Sequence, residues 1–176
     1  SIDRMCASGL TAIGFGVGYI ATGMADCLLT GGVEHMGHVP MGFMRDPHPR
    51  LEEVMGGPSA FNMGMTAENI HDRFPEFTRH MADRYAFSCQ QKANQAVQAG
   101  KMKPMIVPIE IEKPDGTRVV VDKDQQPRPE TSLESLAGLK AVFKENGRVT
   151  AGNASGLNDG AGAVLLMGEK KAEALG

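Results

Sequence analysis

Met5-Cys6-Ala7-Ser8-Gly9-Leu10-Thr11-Ala12-Ile13-Gly14-Phe15-Gly16-Val17-Gly18-Tyr19-Ile20-Ala21-Thr22-Gly23-Met24 puts a cysteine at the head of an uncharged, glycine-rich stretch. Leu10, Ile13, Val17, Ile20 and Met24 recur at three- and four-residue spacing as one apolar stripe, and Phe15 and Tyr19 make the opposite side apolar too. The periodicity predicts a helix over 7–24. A helix apolar all round has to be covered all round, and its glycines let neighbouring backbones approach closely. Its place is the middle of a layered domain. A membrane span is the competing reading, because no charge interrupts 5–25, but the recurrent glycines and the polar-rich sequence beyond favour a buried helix.

Outward from this helix, Cys27 to Thr30 reads as a short buried strand, with Gly31-Gly32 as the turn after it. Residues 36–65 change character: Met36, Met41, Met44, Met55, Met63 and Met65 stand among prolines and glycines without periodicity, which predicts a long loop. Methionine there fills irregular gaps or lines an apolar tunnel. Helices are expected over 66–74 and 78–99, the second stopped by Gly100. A hairpin is expected from 105–112 and 117–122 around Pro114-Asp115-Gly116. Thr131-Ser132-Leu133-Glu134 has the form of a capping box before a helix that carries Leu136, Leu139 and Phe143 and ends at Gly147. After 149–151 comes a Gly-Asn-Ala-Ser-Gly loop, then a strand over 163–167. The order of elements is that of an α/β core interrupted by a mostly helical excursion.

Composition narrows the function classes. With 176 residues, 41% hydrophobic and 22% charged, the chain can bury a core of one domain. Eighteen Lys and Arg against 21 Asp and Glu give a net charge of −3 without a basic run, so no field for nucleic acid is present. Cys6, Cys27 and Cys89 are odd in number and widely spaced, which reads as reduced thiols in a cytoplasmic compartment. The chain opens on Ser1 in what reads as a strand end, and it is expected to be an internal piece of a longer protein.

Cys6 carries the chemistry. Amide N–H groups at a helix start and the helix macrodipole favour an anion, and thiolate is the nucleophilic form of cysteine. Position alone leaves open a plain buried cysteine. Arg4-Met5-Cys6-Ala7-Ser8-Gly9-Leu10-Thr11-Ala12 resembles the active-site stretch of the thiolase family. Three further blocks follow in family order: Gly31-Gly32-Val33-Glu34-His35-Met36, then Met63-Gly64-Met65-Thr66-Ala67-Glu68-Asn69, then Val149-Thr150-Ala151-Gly152-Asn153-Ala154-Ser155-Gly156-Leu157-Asn158-Asp159-Gly160. Glu34 to Met41 is most similar to the degradative 3-ketoacyl-CoA thiolases of bacterial fatty acid oxidation.

The resemblance implies an α/β fold, part of the thiolase αβαβα layered sandwich with an inserted, mostly helical loop domain. Residues 1–36 would be the first part of the N-terminal half, 37–148 the loop domain and 149–176 the return, with the C-terminal half absent. It implies Cys6 as the acylated nucleophile, its N–H lending one oxyanion donor. Ser155 would contact the pantetheine arm among the small residues Ala151 and Gly156, Arg128 and Ser135 the nucleotide end, and Met63 the acyl end. Asn62 stands where short-chain biosynthetic members carry His. Bland readings stand beside these, with Ser155 as a loop-former and Arg128, between Pro127 and Pro129, as a solvated charge. His35 and His38 form an HxxH without a third ligand, so no metal is expected. Gly14-Phe15-Gly16-Val17-Gly18 has Tyr19 where a dinucleotide loop needs glycine, and Asn153 stands where a hydrolase elbow needs one.

The activity implied for the intact protein is thiolytic cleavage of 3-ketoacyl-CoA to acetyl-CoA and a shortened acyl-CoA. Coenzyme A is then a substrate and no tightly bound cofactor is needed. Two alternatives are the biosynthetic condensation of acetyl-CoA and a non-catalytic CoA-binding or assembly piece. Expected partners are CoA thioesters and further copies of the chain in a homo-oligomer, and a fatty acid oxidation complex is a possible setting; no transmembrane segment is expected. The 176 residues alone are expected to be inactive, because the family's Gly-His-Pro histidine, second cysteine and Asn-Glu-Ala-Phe asparagine are not among them. Cys6 is expected to react faster than Cys27, which a buried strand would shield.

Overall fold

A computed structural model of the chain describes residues 1–42, 46–57 and 61–176, so Met44 lies outside the described residues. The chain folds as two compact units, one formed by Ser1–Arg45 with Leu157–Gly176, the other by Asp46–Gly156. The segment 149–156, expected to return to the first unit, packs in the second.

In the first unit a 3-10 turn, Met5–Ala7, leads into α1 (Ser8–Ala21), and β1 (Cys27–Glu34) pairs antiparallel with β4 (Gly160–Met167), after which α6 (Glu169–Leu175) closes the chain. Cross-strand partners share a face, so Leu28, Thr30, Val164 and Leu166 line one side of the sheet. That side receives α1. A Cβ on Gly16 would stand 2.7 Å from Leu166 Cδ1 and 2.9 Å from Thr30 Cγ2, which is why glycine occupies the buried point of the helix. The expected turn at Gly31-Gly32 is instead the middle of β1: the two glycines pair with Ala163 and Gly162, and a Cβ on Gly31 would come 2.6 Å from Gly162 O. These glycines serve close approach between strands, not reversal.

The expectation that α1 is covered on every side does not hold in this unit. Leu10, Phe15 and Val17 are exposed, as are Leu29, Val33 and Leu165 on the other face of the sheet. The reason is dimensional. Two strands about 4.8 Å apart make a platform no wider than one helix, so they cover only its near side.

The second unit begins with α2 (Pro49–Met55), inside the stretch expected to be loop. Pro49 at its first position and Gly56 in the left-handed conformation after it, φ 90°, mark its ends. Next comes α3 (Met63–Arg73), which starts three residues before the predicted helix because Asn62 Oδ1 accepts from Gly64 N and Met65 N. The long helix α4 (Arg79–Gln98) is capped by Thr78, whose hydroxyl accepts from Met81 N at 3.2 Å, and it stops at Gly100, φ 72°. The hairpin of β2 (Ile109–Glu112) and β3 (Arg118–Val121) turns at Gly116, φ 80°. Its first strand is shorter than predicted, since Lys103–Met105 is a 3-10 turn.

α5 (Leu133–Ala137) ends sooner than the apolar spacing predicts, because Ala141 bridges Thr150 in place of continuing the helix. Its capping box is reciprocal between Ser132 and Ser135, not between Thr131 and Glu134: Ser135 N donates to Ser132 Oγ at 3.1 Å, and Ser132 N donates to Ser135 Oγ at 3.0 Å. A hydroxyl at the third helical position completes the box as a carboxylate does.

Acidic side chains sit at the centre of this unit. Glu68 of α3 is 1% exposed and accepts from Arg148 N at 2.9 and 3.0 Å and from Val149 N at 2.7 Å. Arg148 in turn donates through its guanidinium to the carbonyls of His71 and Phe77. Truncation of Glu68 leaves two amide donors without acceptors and opens a hole next to Val149, itself 6% exposed. Glu68→Ala is therefore expected to destabilise the protein by about 3 kcal/mol in urea denaturation, against about 0.5 kcal/mol for a surface glutamate.

Candidate active site

Cys6 is exposed in the 3-10 turn that enters α1. The residue before it, Met5, has φ 52°, a left-handed conformation costly for any residue that carries a Cβ, and the turn is held by a small network that offsets the cost. Asp3 Oδ1 accepts from Met5 N at 2.9 Å, Ser8 Oγ accepts from Arg4 N at 2.7 Å and donates to Met5 O at 2.7 Å, and Ala7 N donates to Arg4 O at 3.1 Å. Arg4 also donates to Thr11 Oγ1 at 3.1 Å. No side chain caps the start of α1. Cys6 is thus exposed on a fixed turn, and its chain neighbours Arg4 and Ala7 line an open groove along α1 with Leu10, Thr11, Gly14 and Phe15.

Cys27 and Cys89 are exposed as well, which corrects the expectation that a buried strand shields Cys27. Cys27 opens β1 at the margin of a two-stranded sheet. The three thiols differ in backbone setting, not in access. In the same unit His35 Nε2 lies 3.3 Å from Asp159 Oδ2 and its ring stacks on His38 with centroids 5.4 Å apart, while Gly37 N donates to Asp159 Oδ1 at 3.1 Å. This pins the Glu34-His35-Met36 block to the Asn158-Asp159-Gly160 block.

Ser155, Arg128, Ser135, Met63, Ala151 and Gly156 all stand in the second unit. Glycine contacts bring three segments together there. A Cβ on Gly152 would meet Leu136 Cδ2 at 2.5 Å and Leu139 Cδ1 at 2.6 Å, so the Asn-Ala-Ser-Gly loop lies on the helix that bears Ser135. A Cβ on Gly156 would meet Gln126 Oε1 at 2.5 Å, so the other end of the loop lies on the segment leading to Arg128. Ser155 is exposed and its hydroxyl donates to Gly156 O at 3.2 Å.

Arg128 is exposed; its backbone N donates to Gln90 Oε1 at 2.7 Å, and among the described residues its guanidinium makes no hydrogen bond or ion pair. The Ser135 hydroxyl is engaged in the capping box and donates to Ser132 O at 2.8 Å. Beside it, hydrogen bonds from its own backbone and from Ser132 hold the Glu134 carboxyl below the usual carboxylate range. Met63 is exposed at the first position of α3, where the next residue, Gly64, packs against the Phe143 ring. What the motifs did not reveal is the polar clamp beneath the loop, made of Arg79, Asp83 and Asn153. Its one signal in the sequence is the Arg–Asp pair at i,i+4 on α4.

Residues 1–170 match the model of the thiolase N-terminal domain. The chain belongs to the thiolase family. It is 44% identical over 177 residues to a 3-ketoacyl-CoA thiolase of Shewanella loihica, covering 100% of this chain and 45% of that protein. It is 41% identical over 188 residues to an acetyl-CoA acetyltransferase of Pseudomonas aeruginosa, covering 100% and 48%. Among solved structures, the Bacillus anthracis acetyl-CoA acetyltransferase matches with a TM-score of 0.78 at 38% identity, covering 98% of this chain and 46% of that one. Human mitochondrial 3-ketoacyl-CoA thiolase matches with a TM-score of 0.79 at 33% identity, covering 99% and 47%. The chain spans about half the length of these thiolases. The α/β architecture expected from the sequence is therefore a thiolase fold, and among the described residues no helix is long and apolar enough to cross a membrane.

Proposed function

We propose that this chain is the nucleophile-bearing part of a degradative thiolase, which cleaves a 3-ketoacyl-CoA with free CoA. The observation that carries the reading is Cys6, exposed on a turn strained at Met5 and held by Asp3 and Ser8 at the mouth of an uncapped helix. In the reaction the Cys6 thiolate adds to the 3-keto carbon. The C2–C3 bond then breaks, leaving an acyl–Cys6 thioester and the enolate of acetyl-CoA, which takes up a proton. CoA thiolate attacks the thioester carbonyl and releases Cys6 as thiolate. A fixed turn favours the first step by holding the sulfur where the carbonyl arrives.

CoA lies along the second unit, whose span Asp46–Gly156 corresponds to the inserted loop domain. The pantetheine arm passes over Ala151, Ser155 and Gly156, where small residues leave room for a thin chain. By the family resemblance the nucleotide end meets Arg128 and Ser135, and Met63 is the candidate for the acyl end. Ionised Glu134 repels phosphate beside Ser135, so the uncommitted Arg128 guanidinium is the stronger of the two contacts. Arg128→Ala is expected to raise the KM for CoA about tenfold with kcat within about twofold, because such a contact forms equally in ground and transition states. An unchanged KM would remove Arg128 from the site.

The setting we propose for this activity is fatty acid β-oxidation in the cytoplasm by a homo-oligomer; the name of the Shewanella relative, a 3-ketoacyl-CoA thiolase, supports the substrate alone. Condensation of two acetyl-CoA is the reading that the Pseudomonas relative's name favours. Steady-state rates in both directions on acetoacetyl-CoA and on a longer 3-ketoacyl-CoA decide between them. Faster thiolysis of the longer substrate supports the degradative reading, and a preference for condensation overturns it.

A further inference from the structure

Beneath the Asn-Ala-Ser-Gly loop, Asp83 of α4 is 3% exposed and divides its two carboxylate oxygens between two partners. Oδ2 accepts from Arg79 Nε at 2.7 Å, and Oδ1 accepts from Asn153 Nδ2 at 3.0 Å. Asn153 in turn closes the loop on itself: its Nδ2 donates to Arg148 O at 2.9 Å and its Oδ1 accepts from Thr150 N at 2.8 Å. Arg79 also donates through Nη2 to Leu136 O at 2.6 Å and Leu139 O at 3.1 Å, the carbonyls on either side of the chain's exit from α5. One ion pair therefore fixes both the loop of Ser155 and the helix end of Ser135. Such a pair is more than bulk stability requires, since a buried ion pair is often replaceable by apolar side chains at little cost.

We infer that Asp83 and Arg79 are positioning residues for CoA, setting the spacing between the loop over which the pantetheine arm runs and the helix at the nucleotide end. Neither touches the ligand. The inference rests on the CoA path proposed above. Asp83→Asn keeps the volume but offers one acceptor oxygen and one donor NH2, so either Arg79 or Asn153 meets a donor. Either the loop or the end of α5 held through Arg79 then loses its anchor, while the loop's own residues stay in place.

The experiment is steady-state thiolysis by the full-length protein, with CoA varied at saturating acetoacetyl-CoA, for wild type, Asp83→Asn, Arg79→Lys and Ser155→Ala, each checked for fold by circular dichroism. Asp83→Asn is expected to raise the KM for CoA about tenfold with kcat within about twofold, since a misplaced loop weakens ground and transition states alike. A purely structural role would lower the fraction of folded enzyme, hence apparent kcat, and leave KM unchanged. If Ser155→Ala raises KM and folded Asp83→Asn does not, the positioning role is overturned and the CoA path stands. If neither moves KM, the path itself fails, and the positioning role with it. Should Asp83→Asn not fold, Arg79→Lys, which keeps the charge but loses the fork to Leu136 and Leu139, is held to the same KM criterion. Failure of both to fold overturns the inference in favour of a structural clamp.

Discussion

Replacing Cys6 by alanine in the full-length protein is expected to lower kcat for thiolysis by at least about four orders of magnitude, the usual cost of deleting a covalent nucleophile. The reason is chemical, not conformational. Alanine occupies the same turn, and the bonds that hold it run through Asp3, Arg4, Met5 and Ser8, none through the thiol. CoA binding and folding should therefore be retained. Because Cys27 and Cys89 are also exposed, access alone does not single Cys6 out. Brief iodoacetamide treatment with peptide mapping isolates the effect of setting: Cys6 is expected to label first, and activity to fall in step with that label. Labelling of Cys27 or Cys89 ahead of Cys6, with activity retained, would sink the assignment.

The second expectation is that the 176 residues by themselves show no thiolysis. Cleavage needs a base to activate the thiol, donors for the thioester enolate and an acid to protonate it, each worth orders of magnitude. The histidines in the unit of Cys6 are His35 and His38. His35 is committed to Asp159 and stacked on His38, which suits a structural pin more than a mobile proton carrier. In the other unit His48 caps α2 and His71 is bonded to Phe77 O at 2.9 Å. The exposed apolar groups Leu10, Phe15, Leu29, Val33 and Leu165 should also drive self-association of the isolated chain. The check is loss of enolate absorbance of acetoacetyl-CoA and of a longer 3-ketoacyl-CoA, with the Cys6→Ala chain as control. Turnover that vanishes in the control would show that these residues already hold a base and donors.

The sequence alone determined those features whose cause is local. α4 is written in Thr78 before it and Gly100 after it, and the hairpin in Pro114-Asp115-Gly116. The four ordered motifs determined the thiolase family and made Cys6 the candidate nucleophile. Helix caps and turns depend on a few adjacent residues, so single letters carry them.

Tertiary structure decided whatever depends on partners far along the chain. Gly31-Gly32 reads as a turn until Ala163 and Gly162 pair with it, and then the absence of side chains is what admits the neighbouring strand. The helix predicted through Phe143 stops early because Ala141 bridges Thr150. Glu68 and Asp83 look like ordinary solvated acids on helices, and only burial against Val149 and Asn153 makes them anchors. Ser155, Arg128 and Ser135 were legible as separate candidates. The approach of the segments that bear them was not, because it is made by Gly152 and Gly156 against Leu136 and Gln126. Such contacts are set by packing between segments tens of residues apart, and no local pattern of charge or hydropathy encodes which surfaces meet.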